Sequence, residues 1–179
     1  MLHQFDTQTA LSREQALSLA DVDNTAALAD IACKMRDYSH RNIITFSKKV
    51  FVPLTHLCRD VCHYCTFAKT PRRIASPYLA AEDVLRLCHE GAAQGCQEAL
   101  FTLGEKPELR YKAARVALTE MGYDSTLDYV AHIAERVLKE TGMLPHINAG
   151  NMTTEEILDL RKVSASMGIM LESASSRLC

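Results

Sequence analysis

Short β-rich runs alternate with helical stretches along most of the chain, and this pattern folds as parallel strands joined by right-handed crossovers. Val50-Phe51-Val52-Pro53-Leu54-Thr55 opens the alternation, with the strand ending at Pro53 or soon after it. The spacing of Val84, Leu85, Cys88 and Ala92 predicts a helix over 80–94, ended by Gly95. A second strand over 98–103 runs into Gly104-Glu105-Lys106-Pro107. Helices over 109–121 and 127–141 follow, closed by Gly122 and Gly142, with Ser125 and Asp128 capping the second. A third strand over 144–149 turns at Gly150, and Thr153-Thr154-Glu155-Glu156 is a capping box opening a helix to about Val163. Ile169-Met170-Leu171 reads as a fourth strand, with Met167 and Met170 in the core. The fold class is therefore α/β with a parallel sheet. Polar residues gather where these strands end: His56 and the cysteines after it, Gly104-Glu105, Asn148, and Glu172-Ser173. That edge of a parallel sheet or barrel is where ligands bind.

Upstream, Ser12 and Gln15 form a capping box, and Leu28, Ile31, Ala32 and Met35 predict a helix over 24–38. These helices make a lead-in over 1–42 that packs against a core over 43–179. Of the 179 residues, 47% are hydrophobic and 23% charged, which places the chain among globular proteins. Trp is absent, so Leu, Ile, Val, Ala and Met must build the core. A net charge of −2 gives no basic field for a nucleic-acid backbone. No apolar run approaches the roughly 20 residues of a membrane span, and the N-terminus has no signal-peptide pattern. The expectation is a cytoplasmic protein with neither nucleic-acid nor membrane partners.

Seven cysteines then need a role. An odd number without a signal peptide argues against a disulfide framework. Cys33 and Cys88 suit small core positions, and Cys179 carries no assignment. Cys58, Cys62 and Cys65, by contrast, fall within eight residues, spaced so that one loop can wrap a compact metal group. Structural zinc takes four ligands, and a zinc site completed by His56 or His63 is one reading. An iron–sulfur cluster, normally held by four cysteines, would be left with one iron open to a small molecule.

The pattern C-x-x-x-C-x-x-C, with Tyr64 before the last cysteine and a strand before the loop, resembles the radical S-adenosylmethionine (SAM) superfamily. Gly104-Glu105 resembles its glycine–glutamate motif, with Leu103 where a glycine is more usual. The stretches His56–Phe67, Phe101–Glu108, Gly122–Thr126, Ser166-Met167-Gly168 and Leu171-Glu172-Ser173 resemble one family within it. That family is 7,8-didemethyl-8-hydroxy-5-deazariboflavin synthase (FO synthase), and the likeness is to its CofG-type subunit over about 43–179.

The resemblance implies a radical SAM partial TIM barrel, of which about the first four β/α units are present. It implies a 4Fe-4S cluster on Cys58, Cys62 and Cys65, whose open iron is chelated by SAM. The 5′-deoxyadenosyl radical made there would drive cyclisation of a tyrosine–ribityldiaminouracil adduct to the deazaflavin, releasing ammonia. A CofH-type subunit or fused second half would supply the adduct, and a flavodoxin or ferredoxin-like donor the electron. By the same resemblance Tyr64 lies near the adenine, Gly104 and Glu105 take the SAM amine, and Glu172 meets the ribose or methionyl end. Arg177 is expected to reach the SAM carboxylate, which Arg can pair in a bidentate fork. Asn148 keeps its place although Asn148-Ala149-Gly150 stands where the family often reads Asn-Pro-Gly. Lys69, Arg72 and Arg73 are either a solvated face or the surface that meets the electron donor. Other readings are a different radical SAM activity, such as that of the tyrosine-adding subunit, and a non-catalytic zinc module. His63 is expected to be exposed, His146 to be a packed or hydrogen-bonded barrel residue, and Glu105 could be a plain loop carboxylate. Cores of this family run to more strands than the four readable here, so the chain reads as the N-terminal part of a longer enzyme. A sheet stopped there leaves an unpaired edge, and the piece alone is expected to be insoluble or inactive.

Overall fold

The computed structural model describes residues 10–170 and 173–177, in two compact units divided between Phe46 and Ser47. In the first unit, helix α1 (Arg13–Ser18) starts at the expected capping box: Ser12 Oγ accepts the Gln15 amide at 3.2 Å. The Gln15 side chain accepts the Ser12 amide at 2.8 Å in return. Helix α2 (Thr25–His40) is capped by Asn24, whose Oδ1 accepts the Ala27 amide at 3.0 Å. Neither helix buries a residue, and Cys33 is exposed rather than in a core. The correction has a simple cause. Asp30, Lys34 and Asp37 surround Cys33 on the helix, so it lies on a charged face, apart from the half-buried stripe of Leu28, Ile31 and Met35.

The second unit carries strands β1 (Lys49–Thr55), β2 (Glu98–Leu103), β3 (Leu144–Asn148) and β4 (Ser166–Met167). Its helices are α3 (Ala81–Ala93), α4 (Lys112–Met121), α5 (Thr126–Thr141) and α6 (Thr154–Leu160). The strands lie side by side in chain order and all run parallel. Strand residues alternate between two faces. Val52 and Leu54, Ala99 and Phe101, and Ile147 are fully buried on one face. Helix α3 covers it at β1 and α5 covers it at β3, contributing Val84, Cys88, Tyr129, Val130, Ile133 and Val137 to the core. The opposite face carries Phe51, Leu100 and His146 in register, and Phe51 remains half exposed.

Three boundaries differ from the sequence reading. The fourth strand falls at Ser166–Met167, not over 169–171. Its register is set by the Ala165 amide on Pro145 O (2.9 Å) and the Gly168 amide on Ile147 O (3.1 Å). The ladder with β3 therefore engages Ser166, and Ile169 and Met170 are left exposed; Met170 is not a core residue. Met167 does pack against the core. Helix α4 begins only at Lys112 because Pro107–Leu109 forms a separate 3-10 turn, and α6 stops at Leu160.

Candidate functional site

The loop after β1 is closed at its neck before any cysteine is reached. The Lys69 amide donates to His56 O at 2.8 Å, and the His56 ring stacks on Phe67 with centroids 4.4 Å apart. His56 Nδ1 lies 3.0 Å from Phe67 O, so one nitrogen of this ring is engaged in closing the loop. Inside the loop the Cys65 amide donates to Cys62 O at 3.0 Å, and the Ala68 amide reaches Cys65 Sγ at 3.5 Å. Cys58, Cys62 and Cys65 all line one cavity of about 230 Å³, together with Lys69, Arg73 and Arg110. Burial pushes the Cys58 thiol above its ordinary pKa, against amide hydrogen bonds from Asp60 and Glu105 that favour the thiolate. Lys69, Arg73 and Arg110 put three positive charges on the lining of the same cavity.

Three cysteines on one cavity could hold a multinuclear cluster. Each thiolate of such a cluster sits on its own iron, so the sulfurs need to surround one space rather than converge on one point. Among the described residues, no three His, Cys, Asp or Glu side chains converge closely enough to hold a single metal ion.

The turn after β2 is pressed against the cysteine loop. The Gly104 amide donates to Thr55 O at 3.0 Å. A Cβ on Gly104 would stand 1.9 Å from Leu57 O and 2.8 Å from Cys58 Cβ, so only glycine allows this approach. The next residue, Glu105, is 6% exposed. Its amide donates to Cys58 Sγ at 3.3 Å, and its carbonyl accepts the Arg59 amide at 2.9 Å. Oε1 accepts Arg59 Nε at 2.8 Å and pairs with the same guanidinium through Nη2. Oε2 accepts the Asn151 amide, beyond β3, at 2.8 Å. Gly150 makes that last contact possible: its φ is +76°, and a Cβ there would lie 2.6 Å from Oε2. One buried carboxylate thus ties together the loops after β1, β2 and β3. A second cavity, of about 330 Å³, opens beyond it and is lined by Gly150, Asn151, Met152, Ile157, Met167 and Gly168. Glu105 touches Cys58 through its amide and Gly150 and Asn151 through its carboxylate.

Lys106 takes a left-handed conformation (φ 32°, ψ 57°) that turns the chain away from Glu105. Its Nζ pairs at 2.7 Å with Glu156, the capping-box residue of α6, and this bond, with the Thr153 amide, holds the Glu156 carboxyl below its ordinary pKa. Glu156 is the cap read from sequence and an anchor for this turn as well. Further along, Glu108 accepts the Thr126 hydroxyl at 2.6 Å, and Tyr78 Oη lies 2.6 Å from the same hydroxyl.

Of the residues expected at the site, the fold gathers Cys58, Gly104 and Glu105 into direct contact and sets Cys62 and Cys65 on the same cavity. Tyr64 is 41% exposed on the cysteine loop, and His63 is exposed there. Asn148 ends β3 and faces β4, its Oδ1 2.8 Å from the position a Cβ on Gly168 would take. His146 is hydrogen-bonded, its Nδ1 2.6 Å from Ser166 Oγ. Arg177 is exposed in a turn. Glu172 and Cys179 lie outside the described residues. Arg59, Arg110 and Asn151 were given no role by sequence reasoning. The Cys58-Arg59-Asp60 start of the motif did mark the family, but nothing local says that Arg59 points at a carboxylate 46 residues on.

The four-stranded parallel arrangement has close counterparts among solved structures. Methylornithine synthase (PylB) matches with a TM-score of 0.66 at 19% identity, over 99% of this chain and 48% of that one. HydG, an FeFe-hydrogenase maturase, matches at 0.67 and 18%, over 93% and 35%. The fold is the radical SAM partial TIM barrel. No family model matches the chain. Curated relatives are more specific. FO synthase of Mycobacterium leprae is 53% identical over 139 residues, 75% of this chain and 16% of that protein. FO synthase of Nocardia farcinica is 45% identical over 180 residues, 94% of this chain and 21% of its own length. The 7,8-didemethyl-8-hydroxy-5-deazariboflavin synthase of Methanopyrus kandleri is 48% identical over 137 residues, 76% and 41%. The chain belongs to the FO synthase family, and it spans between 16% and 41% of the length of these relatives.

Proposed function

We propose that this chain forms the cluster-binding part of a radical SAM enzyme of deazaflavin biosynthesis, working in the CofG-type half-reaction. Cys58, Cys62 and Cys65 would hold a 4Fe-4S cluster, and Glu105, with the close approach that Gly104 permits, would receive the ammonium group of SAM. When bound, the reduced cluster supplies the electron that cleaves SAM to a 5′-deoxyadenosyl radical. The observation that carries the reading is the contact between the two motifs: the amide of Glu105 donates to Cys58 Sγ at 3.3 Å. That amide anchors Glu105 beside the first cysteine of the loop, where the amine of a chelating amino acid would arrive, and charge-assisted bonds to a carboxylate are short and strong.

Tyr64, half exposed on the same loop, would lie along the adenine. Asn148, at the end of β3, Glu172 and Arg177 would complete the ribose, methionyl and carboxylate contacts. Lys69, Arg73 and Arg110 offset the negative charge of three thiolates. With Arg72 they give an acidic flavodoxin or ferredoxin-like donor a surface to approach. In the whole enzyme the radical would abstract hydrogen from a tyrosine–ribityldiaminouracil adduct, leading to ring closure and loss of ammonia, a carbon–nitrogen lyase reaction. The adduct would come from a CofH-type subunit or a fused second half. A twofold difference in the share of their length covered, 21% in Nocardia and 41% in Methanopyrus, supports both arrangements within the family. Reduced thiols suit a cytoplasmic setting.

Anaerobic reconstitution with iron and sulfide tests the reading. It is expected to give a brown protein whose visible absorbance bleaches with dithionite and which binds SAM. Iron-free protein holding stoichiometric zinc would sink it. Adding the CofH-type product with SAM and reductant to the longer enzyme, and watching for deazaflavin fluorescence, separates this half-reaction from the tyrosine-adding one.

A further inference from the structure

We propose that Arg59 is a positioning residue for Glu105: it fixes the orientation in which the buried carboxylate meets the incoming ammonium group. The inference rests on the reading of Glu105 as the ammonium acceptor. An ionised carboxylate offers about four acceptor positions. Nε and Nη2 of Arg59 take two of them on Oε1, the Asn151 amide takes one on Oε2, and the Asp60 side chain also hydrogen-bonds this carboxylate. Oε2 is packed beside Gly150.

Arg59 is itself held in place from three sides. Its amide donates to Glu105 O at 2.9 Å, its carbonyl accepts Arg110 Nη1 at 2.9 Å, and Asp60 Oδ1 lies 3.9 Å from its Nε. A planar fork anchored in this way sets the rotation of the carboxylate, not merely its charge. A lysine at the same position would offer a point charge without that orientation. Because Arg59 is next to Cys58, the device also couples the carboxylate's direction to the first thiolate of the loop.

SAM affinity of the reconstituted longer enzyme, measured by equilibrium dialysis, tests this with Arg59→Gln and Arg59→Lys, each alone and combined with Glu105→Gln. Arg59→Gln is expected to weaken SAM binding about tenfold and Arg59→Lys less, with visible cluster absorbance per chain unchanged in both. In the Glu105→Gln background, Arg59→Gln should change affinity by less than about twofold, because its effect is carried through that carboxylate. An equal loss in both backgrounds would mean that Arg59 meets the ligand itself, and would overturn the proposal. So would unchanged affinity in Arg59→Gln, or loss of cluster absorbance in both Arg59 variants, which would make the residue part of loop folding. If Glu105→Gln binds SAM like the wild type, the reading of Glu105 fails first and the inference with it.

Discussion

Gly104 shows how little freedom single positions have at this site. A methyl group there would collide with the Leu57 carbonyl, a backbone atom that cannot swing aside as a side-chain tip can. Gly104→Ala is therefore expected to cost about 1–3 kcal/mol, read as a lower thermal midpoint, and to lower cluster incorporation at the same time. Two cysteines give a contrasting pair. Cys88 is fully buried and burial pushes its thiol up to about 11, whereas Cys33 is exposed. Under native conditions near neutral pH, an alkylating reagent should modify Cys33 and leave Cys88 untouched until the protein unfolds; peptide mapping decides it. Sequence reasoning placed both in a core and was right about one. Helical spacing says which face a residue occupies, but not whether anything covers that face. The cysteine triad and Gly104-Glu105 were legible because spacing and strand ends are local signals. Arg59 and Asn151 were not, since their meaning lies in contacts across 46 residues.

Elements were legible wherever caps announced them: Ser12, Ser125 and Thr153 each accept the amide that the pattern assigns to them. The fourth strand slipped by three residues because an apolar triplet outweighed a Ser-Met pair, while hydrogen bonding to β3 made the actual choice. Two family marks, Lys106-Pro107-Glu108 and Gly122–Thr126, meet in the chain of hydrogen bonds from Glu108 through Thr126 to Tyr78. Thr126 is 1% exposed, so Thr126→Val strands two polar partners; a loss of about 1–3 kcal/mol in urea unfolding is expected, without change in the cluster spectrum.

Glu156 adds a pH dependence at the same scale. Lys106 and the Thr153 amide depress its folded pKa, so between the folded value and the ordinary value near 4.5 the unfolded chain binds the proton more readily. The contribution is complete above the ordinary value and is lost as pH falls through the lowered one. Glu156→Gln should flatten the stability decline between about pH 5 and pH 3, by under about 1 kcal/mol for a pair this exposed.

At the scale of the molecule, the alternation of strands and helices was enough to give a parallel sheet in chain order, because right-handed crossovers leave few other solutions. The sequence reading drew the division at 42/43 and the units divide at 46/47, since residues 41–46 carry no composition break. Ile44 and Phe46 there are 77% and 88% exposed, in a stretch without helix or strand. Brief trypsin treatment should cut first at Arg41 and leave a core-sized product beginning just after it, identifiable by mass. Early cuts within α3 or α5 would contradict this.

The carboxylate shared by three loops also sets an order of events in refolding. Glu105 lies 46 residues after Arg59 and 46 before Asn151, so its partners arrive only when both flanking β/α crossovers have closed. Closing such loops spends chain entropy before any contact is returned, which makes this junction one of the last to settle. Helical signal should recover first after dilution from urea, and competence to take up a ligand at Glu105 should follow. The site doubles as a clock for the completion of its own scaffold.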